Sequence, residues 1–302
     1  MPLISVGMPV LNAEKTIGVA IQNLLAQTFQ NFELVICDNA SEDGTPKIVE
    51  AFAKQDSRVR LVRFDERVDI RLSFKRAFEN TSAPYFMFAP ADDRWYPEFM
   101  EETLVILQAN TDIAASTGKV AFFEDGQFSH MSKGTAPLMD DNDKNLVRYL
   151  TDPVENARAF SLMRREALIN AFPDVTYPGW DFQLIARTME HGKYFEIDKV
   201  LAERDVTPLE AYIVQAENTQ KYALQKAFRL YRLLTEILKD KQIPRVPGLY
   251  WALVKLVWRS HVNYAAYRMP RWFKVITFYQ SVFSTKPDLW PVRNADPVSK
   301  DG

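Results

Sequence analysis

The chain reads as an α/β protein: a Rossmann-like, mostly parallel sheet followed by an α-helical carboxyl-terminal extension. Three observations predict this. Short apolar runs alternate four times with amphipathic segments, the loops between them are brief, and turn-forming or acidic residues follow the runs. Such alternation implies right-handed βαβ crossovers. With 302 residues, 47% of them apolar or aromatic and 25% charged, the chain can bury a large core and is not disordered. The division is expected between 1–208, the sheet domain, and 209–302, the extension.

The elements follow in order. Leu3–Met8 is a strand ended by Pro9. Past Asn12, an N-cap candidate, Ile17, Ala20, Ile21, Leu24 and Leu25 form one helical stripe. Phe32–Cys37 is a second strand, Asn39–Thr45 a turn, and Pro46 opens a helix with Ile48, Val49 and Phe52 inward. Val59–Phe64 alternates as a third strand. A charged loop, Asp65–Arg71, then leads to a short helix through Phe74, Ala77 and Phe78. Tyr85–Ala89, aromatic and bounded by prolines, is the fourth strand and runs toward Asp92 and Asp93.

That order places four loops, 9–12, 38–44, 65–71 and 91–94, on the sheet edge where open α/β proteins hold ligands. Three carry carboxylates, which suits a ribose, a base and a metal-bound phosphate better than a bare anion. Asp92 and Asp93 alone have two readings: N-capping of the next helix, or ligation of a divalent cation shared with a phosphate. No G-x-G-x-x-G follows the first strand and no P-loop pattern occurs, so dinucleotide enzymes and P-loop NTPases lose support. The lone Cys37 excludes an internal disulfide and reads as a small buried hydrophobe, while His130, His191 and His261 lack zinc-ligand spacing. No signal-peptide pattern opens the chain and no apolar run nears the ~18 residues of a membrane helix, so a cytoplasmic location is expected.

Four segments now stand in sequence: V-G-M-P-V-L-N-A-E-K-T-I at Val6–Ile17, E-L-V-I-C-D-N-A-S-E-D-G-T at Glu33–Thr45, A-D-D-R-W-Y-P at Ala91–Pro97, and G-W-D-F-Q-L-I-A-R-T-M-E-H-G at Gly179–Gly192. Together they resemble the family 2 glycosyltransferases, inverting enzymes of the GT-A fold. The resemblance implies a nucleotide-sugar donor, UDP-linked, a glycan or lipid-linked acceptor hydroxyl, and Mg or Mn as cofactor, in polysaccharide or glycolipid synthesis. It implies that Asp38 hydrogen-bonds the donor's base, with Pro9, Val10, Asn12, Glu14 and Asn39 in the same nucleotide subsite. Asp92 would face the ribose or metal, Asp93 would ligate the metal, and Asp181 would be the base that takes the acceptor's proton. Arg71 and Lys75 are candidates for gripping phosphate.

The sequence departs from the family pattern at Leu11 (an aromatic is usual), Asn39 and Trp180 (acids), Pro90 (often Asp) and Val206 (a histidine near Arg204). These departures leave Asp93 as the principal protein ligand. They also keep a rival reading, a catalytically degenerate sugar-nucleotide-binding or scaffold subunit. A sugar nucleotidyltransferase would need a glycine-rich, arginine-bearing opening loop that is absent.

Several side chains carry two readings. Asp38 is a ligand or an Asx-turn acceptor, Asp181 a base or a helix N-cap, and Trp95 and Trp180 stack on sugars or pack the core. Lys133–Pro153, including D-D-N-D, reads as a mobile polar loop, and Arg164–Phe172 as a short helix. A long helix is expected over Leu209–Lys239, with Leu230, Leu233, Leu234, Ile237 and Leu238 on one face and Pro244 and Pro247 beyond it. Between Lys241 and Pro287 there are eight basic residues and no acid, interleaved with aromatics, in a chain of net charge -2. That segment suits peripheral contact with the inner face of a membrane, or packing on the body or on a second subunit of a homo-oligomer. Nucleic acid is not expected as a partner, because no recognition motif accompanies the charge.

Overall fold

The computed structural model describes residues 1–206 and 230–268. The elements are β1 (Ile4–Val10), α1 (Ile17–Leu25), β2 (Phe32–Asp38), α2 (Thr45–Gln55), β3 (Val59–Arg63), α3 (Ile70–Glu79) and β4 (Tyr85–Phe88), then β5 (Arg94–Trp95), α4 (Phe99–Ala109), β6 (Ile113–Glu124) and β7 (Gln127–Met131). They continue with α5 (Asn142–Thr151), β8 (Leu162–Arg164), the single turn α6 (Arg165–Leu168), α7 (Trp180–Thr188), β9 (Lys193–Asp205), α8 (Tyr231–Lys239) and α9 (Leu249–Arg268).

The strands form one sheet in the order β3-β2-β1-β4-β8-β6-β9-β5, with β7 beside β6. β3, β2, β1 and β4 are mutually parallel, as are β6 and β9, while β8 runs antiparallel to both β4 and β6. Chain order reverses between β1 and β4, so the crevice for a ligand lies beyond their carboxyl ends. The strand expected to stop at Pro9 continues to Val10, with Pro9 opposite Cys37. Pairing of β1 with β4 ends at Gly7, leaving the flank beside Pro9 open, and a residue without an N–H is tolerated at such an edge.

Alternate side chains divide between two cores, as the period of a strand dictates. Val6, Met8, Leu34, Ile36 and Met87 pack toward α1 and α4, whereas Val35, Cys37, Phe86 and Phe88 pack toward α3, α5 and α7. Leu230, Leu233 and Ile237 of the next segment and Leu249, Leu253 and Leu256 of α9 join this second core. The apolar face expected on the long helix is therefore buried from residue 230 onward, and its earlier part lies outside the described residues. Burial pushes the Cys37 thiol up to about 12, as befits a buried hydrophobe.

Two expectations are corrected. The 133–153 segment is not a loop throughout, because α5 occupies its second half. Asp141 caps that helix by accepting the Lys144 N–H at 2.9 Å, and Leu146, Tyr149 and Leu150 are buried. The expected 164–172 helix shrinks to the four residues of α6: Arg164 is drawn into the sheet between β4 and β6, and the helix stops where Ile169 is extended (ψ 122) and Asn170 is left-handed (φ 64).

Candidate active site

The loops after β1 and β2 wall one side of the crevice and are stapled together. Asn12 N–H donates to Ser41 Oγ at 2.9 Å and Ala13 N–H to Thr45 Oγ1 at 2.8 Å. In return Glu42 N–H donates to Asn12 Oδ1 at 2.9 Å and Gly44 N–H to Glu14 Oε2 at 2.7 Å. Asn12 sits at φ 52, a left-handed conformation that asparagine tolerates. Pro9 is half-buried, Val10 is buried, and Asn12 and Glu14 are exposed. Asn39, just past the strand end, is buried and bridges to Val68, donating to its carbonyl and accepting its N–H, each at 2.9 Å.

Asp38, at the end of β2, is fully buried. Its carboxylate accepts the Ser41 N–H at 3.2 Å and lies 3.5 Å from Arg63 Nε. Asp38 thus accepts a backbone N–H of the following turn, three residues on. Arg63, which sequence reasoning did not single out, covers the carboxylate with a side chain that is 56% exposed.

Beyond β4 the acid pair splits. Asp92 is exposed and Asp93 is buried. Burial pushes the Asp93 carboxyl up to about 6; the Arg204 guanidinium pulls it back, and Asp92 and Asp205 add to the rise. Arg204 Nε stands 2.8 Å from Asp93 Oδ2, close enough for an ion pair, yet this oxygen has no aligned hydrogen-bond donor. A hard cation such as Mg or Mn bound at this oxygen would have to compete with the guanidinium for it. Among the described residues no group of three or more His, Cys, Asp and Glu side chains converges to hold a metal. Asp93 and Asp92 offer two carboxylates, so a divalent cation held there would need its remaining ligands from elsewhere, such as phosphate oxygens and water. Neither residue caps α4, whose N-cap is Glu98.

Asp181 lies in the first turn of α7, not at its cap, which is Gly179 at φ 86. The residue keeps part of its surface open. Burial nonetheless raises the affinity of its carboxylate for a proton; Asn156 and the helix-start N–H groups of Asp181 and Phe182 work against that rise. Asn156 Nδ2 donates to Asp181 Oδ2 at 2.7 Å, and Tyr149 donates its hydroxyl to Asn156 Oδ1 at 2.7 Å. Sequence reasoning missed both partners.

Rings connect the two acidic centres. Phe74 of α3 touches Phe88 of β4 (centroids 5.1 Å apart), Trp180 (5.7 Å) and Phe160 (6.4 Å). Arg204 lies 4.1 Å above the Phe160 ring. Trp180 and Trp95 are both core residues, 9% and 2% exposed, which resolves their two readings in favour of packing. Arg71 is buried, with Nη1 donating to Pro173 O at 2.8 Å and Nε to Thr176 Oγ1 at 3.1 Å, so two of its donor groups hold the 173–176 loop. Lys75 faces Glu79 at 3.6 Å along α3.

The family model described as Glycosyl transferase family 2 matches residues 5–172. The chain is 32% identical over 108 residues to the Escherichia coli protein named UDP-Glc:alpha-D-GlcNAc-diphosphoundecaprenol beta-1,3-glucosyltransferase WfgD, a match covering 36% of this chain and 42% of that one. It spans 46% and 50% of two Bacillus subtilis glycosyltransferase relatives, so about half the length of such curated proteins is matched. Residues 1–349 of S. aureus TarS, solved with UDP, superpose with a TM-score of 0.56 at 17% identity, covering 89% of this chain and 92% of that one. The Pyrobaculum calidifontis mannosyltransferase PcManGT, solved with GDP-Man and Mn2+, gives a TM-score of 0.57 at 18% identity, covering 94% and 81%. At these identities the likeness shows the fold, which is that of the GT-A glycosyltransferases.

Proposed function

This chain belongs to glycosyl transferase family 2, and we propose that it transfers a sugar with inversion from a UDP-linked donor to a hydroxyl of a glycan or lipid-linked acceptor. The observation that carries this reading is Asp181, a residue with part of its surface open and a carboxylate raised in proton affinity by burial and bonded by Asn156 at Oδ2. A base of raised pKa takes a proton more effectively near neutral pH than an ordinary carboxylate.

In the proposed reaction Asp181 removes the acceptor's hydroxyl proton as that oxygen attacks the anomeric carbon opposite the diphosphate. The bond from the anomeric carbon to the diphosphate breaks with its electron pair leaving on the diphosphate oxygen, and the proton remains on Asp181 until solvent takes it. Asp93, with Asp92, would hold Mg or Mn, which when bound neutralises charge on the leaving diphosphate. The stapled wall of Pro9, Val10, Asn12, Glu14 and Asn39 would receive the nucleoside. Contact of the base with Asp38 would require the exposed Arg63 side chain to swing off the carboxylate. UDP is favoured by the names of WfgD and of the TarS complex, although PcManGT carries GDP-Man.

We assign 1–208 to the transfer reaction and 209–302 to an extension that makes peripheral contact with an anionic membrane. Among the described residues no helix is long and apolar enough to cross a membrane. The inner face of α9 is buried, whereas Tyr250, Trp251 and Trp258 stand 56%, 66% and 51% exposed beside the exposed Lys255 and Arg259. Tryptophan and tyrosine with basic neighbours suit headgroup depth. Flotation with vesicles containing anionic lipid tests this: Trp251→Ala with Trp258→Ala should leave the protein in the bottom fraction, and unchanged flotation sinks the membrane assignment.

Calorimetry with UDP-, GDP- and dTDP-sugars, each with Mn or Mg, tests the main reading. Binding of a UDP-sugar that strengthens with the ion is expected. No binding of any donor rules out the transferase, and binding with wild-type and Asp181→Asn proteins equally slow in turnover favours the scaffold reading.

A further inference from the structure

We propose that Asn156 and Tyr149 form a positioning pair that holds Asp181 Oδ2 and so presents Oδ1 to the acceptor hydroxyl. The inference rests on the reading of Asp181 as the base and extends it to residues outside the four segments that carry the family resemblance.

An ionised carboxylate has no proton to give, so the Asn156 amide must face it with nitrogen, at 2.7 Å from Oδ2. That orientation leaves the amide oxygen for Tyr149, 2.7 Å away, and makes the tyrosine hydroxyl the donor. Tyr149 is 1% exposed, and burial pushes its pKa well above the ordinary tyrosine value, so it remains a donor throughout the working pH range. Hydrogen bonds in such a chain polarise one another, which strengthens the bond to Asp181. Asn156 engages Oδ2, and no side chain among the described residues donates to Oδ1, so Oδ1 is the oxygen presented to the acceptor.

The backbone supports the same assignment. Asn156 sits at φ 50 and Val154 at φ 51, two left-handed residues within three positions, and Val is β-branched. Strained backbone persists where surroundings over-determine it, and such places gather at functional sites. Here Asn156 N–H donates to Pro153 O at 3.0 Å, its carbonyl accepts the Ala159 N–H at 3.0 Å, and its side chain spans α5 and α7. The Asp181 charge reaches Tyr149 on α5 and Tyr177 on the segment before α7 and, together with burial, keeps both hydroxyls protonated. Arg158, from the turn after Asn156, lies over the Tyr149 ring at 5.6 Å.

The test uses the full chain with UDP-glucose and UDP-N-acetylglucosamine plus Mn, measuring donor turnover against pH and UDP affinity by calorimetry. Asn156→Ala should lower kcat by about tenfold to a hundredfold, move the acid limb of the pH profile to higher pH, and leave UDP affinity unchanged. Tyr149→Phe should do the same to a smaller extent, and it decides the matter if Asn156→Ala does not fold. An unmoved acid limb, or kcat and UDP affinity falling together, overturns the positioning role in favour of mere core satisfaction. Asp181→Asn is run alongside. If it turns over donor like wild type, the base reading itself has failed; if it is dead while Asn156→Ala and Tyr149→Phe are normal, only the positioning pair has.

Discussion

Replacing Asp181 with Asn separates what the fold prefers from what the reaction needs. The carboxylate's raised proton affinity means that its surroundings, on balance, disfavour the charged form, burial outweighing the Asn156 bond and the helix-start N–H groups. Each unit of such elevation is about 1.4 kcal/mol of stability withheld from the folded state when the group is ionised. The sign follows from linkage. Below the ordinary carboxylate pKa both folded and unfolded chains are protonated and nothing is lost; the penalty grows as pH rises through the window up to the folded pKa, and is complete above it. An isosteric amide removes that penalty and can still accept the Asn156 N–H through its oxygen. Asp181→Asn should therefore melt higher than wild type at pH 8, by ~2–4 °C per kcal/mol, with the advantage vanishing near pH 4. Turnover should meanwhile fall by roughly 10²–10⁴-fold, the usual contribution of a general base. Scanning calorimetry at several pH values, beside donor turnover, reads both effects. A variant that is less stable at pH 8, or that keeps its activity, would refute the reasoning.

Asp93→Asn should weaken Mn-dependent UDP binding at least about tenfold while leaving metal-free binding within about twofold, since it removes the principal proposed protein ligand; calorimetry with and without Mn reads this directly. A β-carbon at Gly118 would lie 2.5 Å from Leu201 Cβ across the β6–β9 pairing, so Gly118→Ala should cost about 1–3 kcal/mol in chemical denaturation. Arg187 Nε and Asp240 form a 2.7 Å ion pair with little exposed surface, shared with Gln183. Burial alone would raise the Asp240 pKa, but hydrogen bonds from Arg187 and Gln183 bring it below the ordinary value. Arg187→Ala should cost about 3 kcal/mol at neutral pH, and the gap to wild type should narrow as acid protonates Asp240. A pH-independent gap would contradict the pairing.

The first four strands and three helices were legible because their apolar residues repeat at strand or helix period and their loops carry strong turn chemistry. The acid pair and Asp181 stood out for a different reason, their place in ordered segments. What stayed hidden depends on tertiary pairing. β8 has three residues, too few for any period, and becomes a strand only because β4 and β6 accept it on either side. α5 was masked by its polar opening, D-D-N-D-K-N, in which Asn145 is buried by bonding to Leu138 O and Asp140 O, something no local pattern announces. Asn156 looked like an ordinary loop asparagine. Its closeness to Asp181, 25 residues on, is created by the packing of α5 against α7. The burial of Arg71 was equally unreadable, because the Pro173 carbonyl that holds it lies 102 residues away.

The ring contacts around Phe74 bear on how the site responds to change. Asp93 is linked through Arg204 to Phe160, Phe160 through Phe74 to Trp180, and Trp180 is the neighbour of Asp181. The span between the two carboxylates is thus gauged by aromatic volumes packed edge to face and not by loop length. Close-packed rings resist compression, so the gauge is stiff. Loops on the rim can vary in length and composition without altering that span, whereas trimming a single ring in the middle of the series resets it.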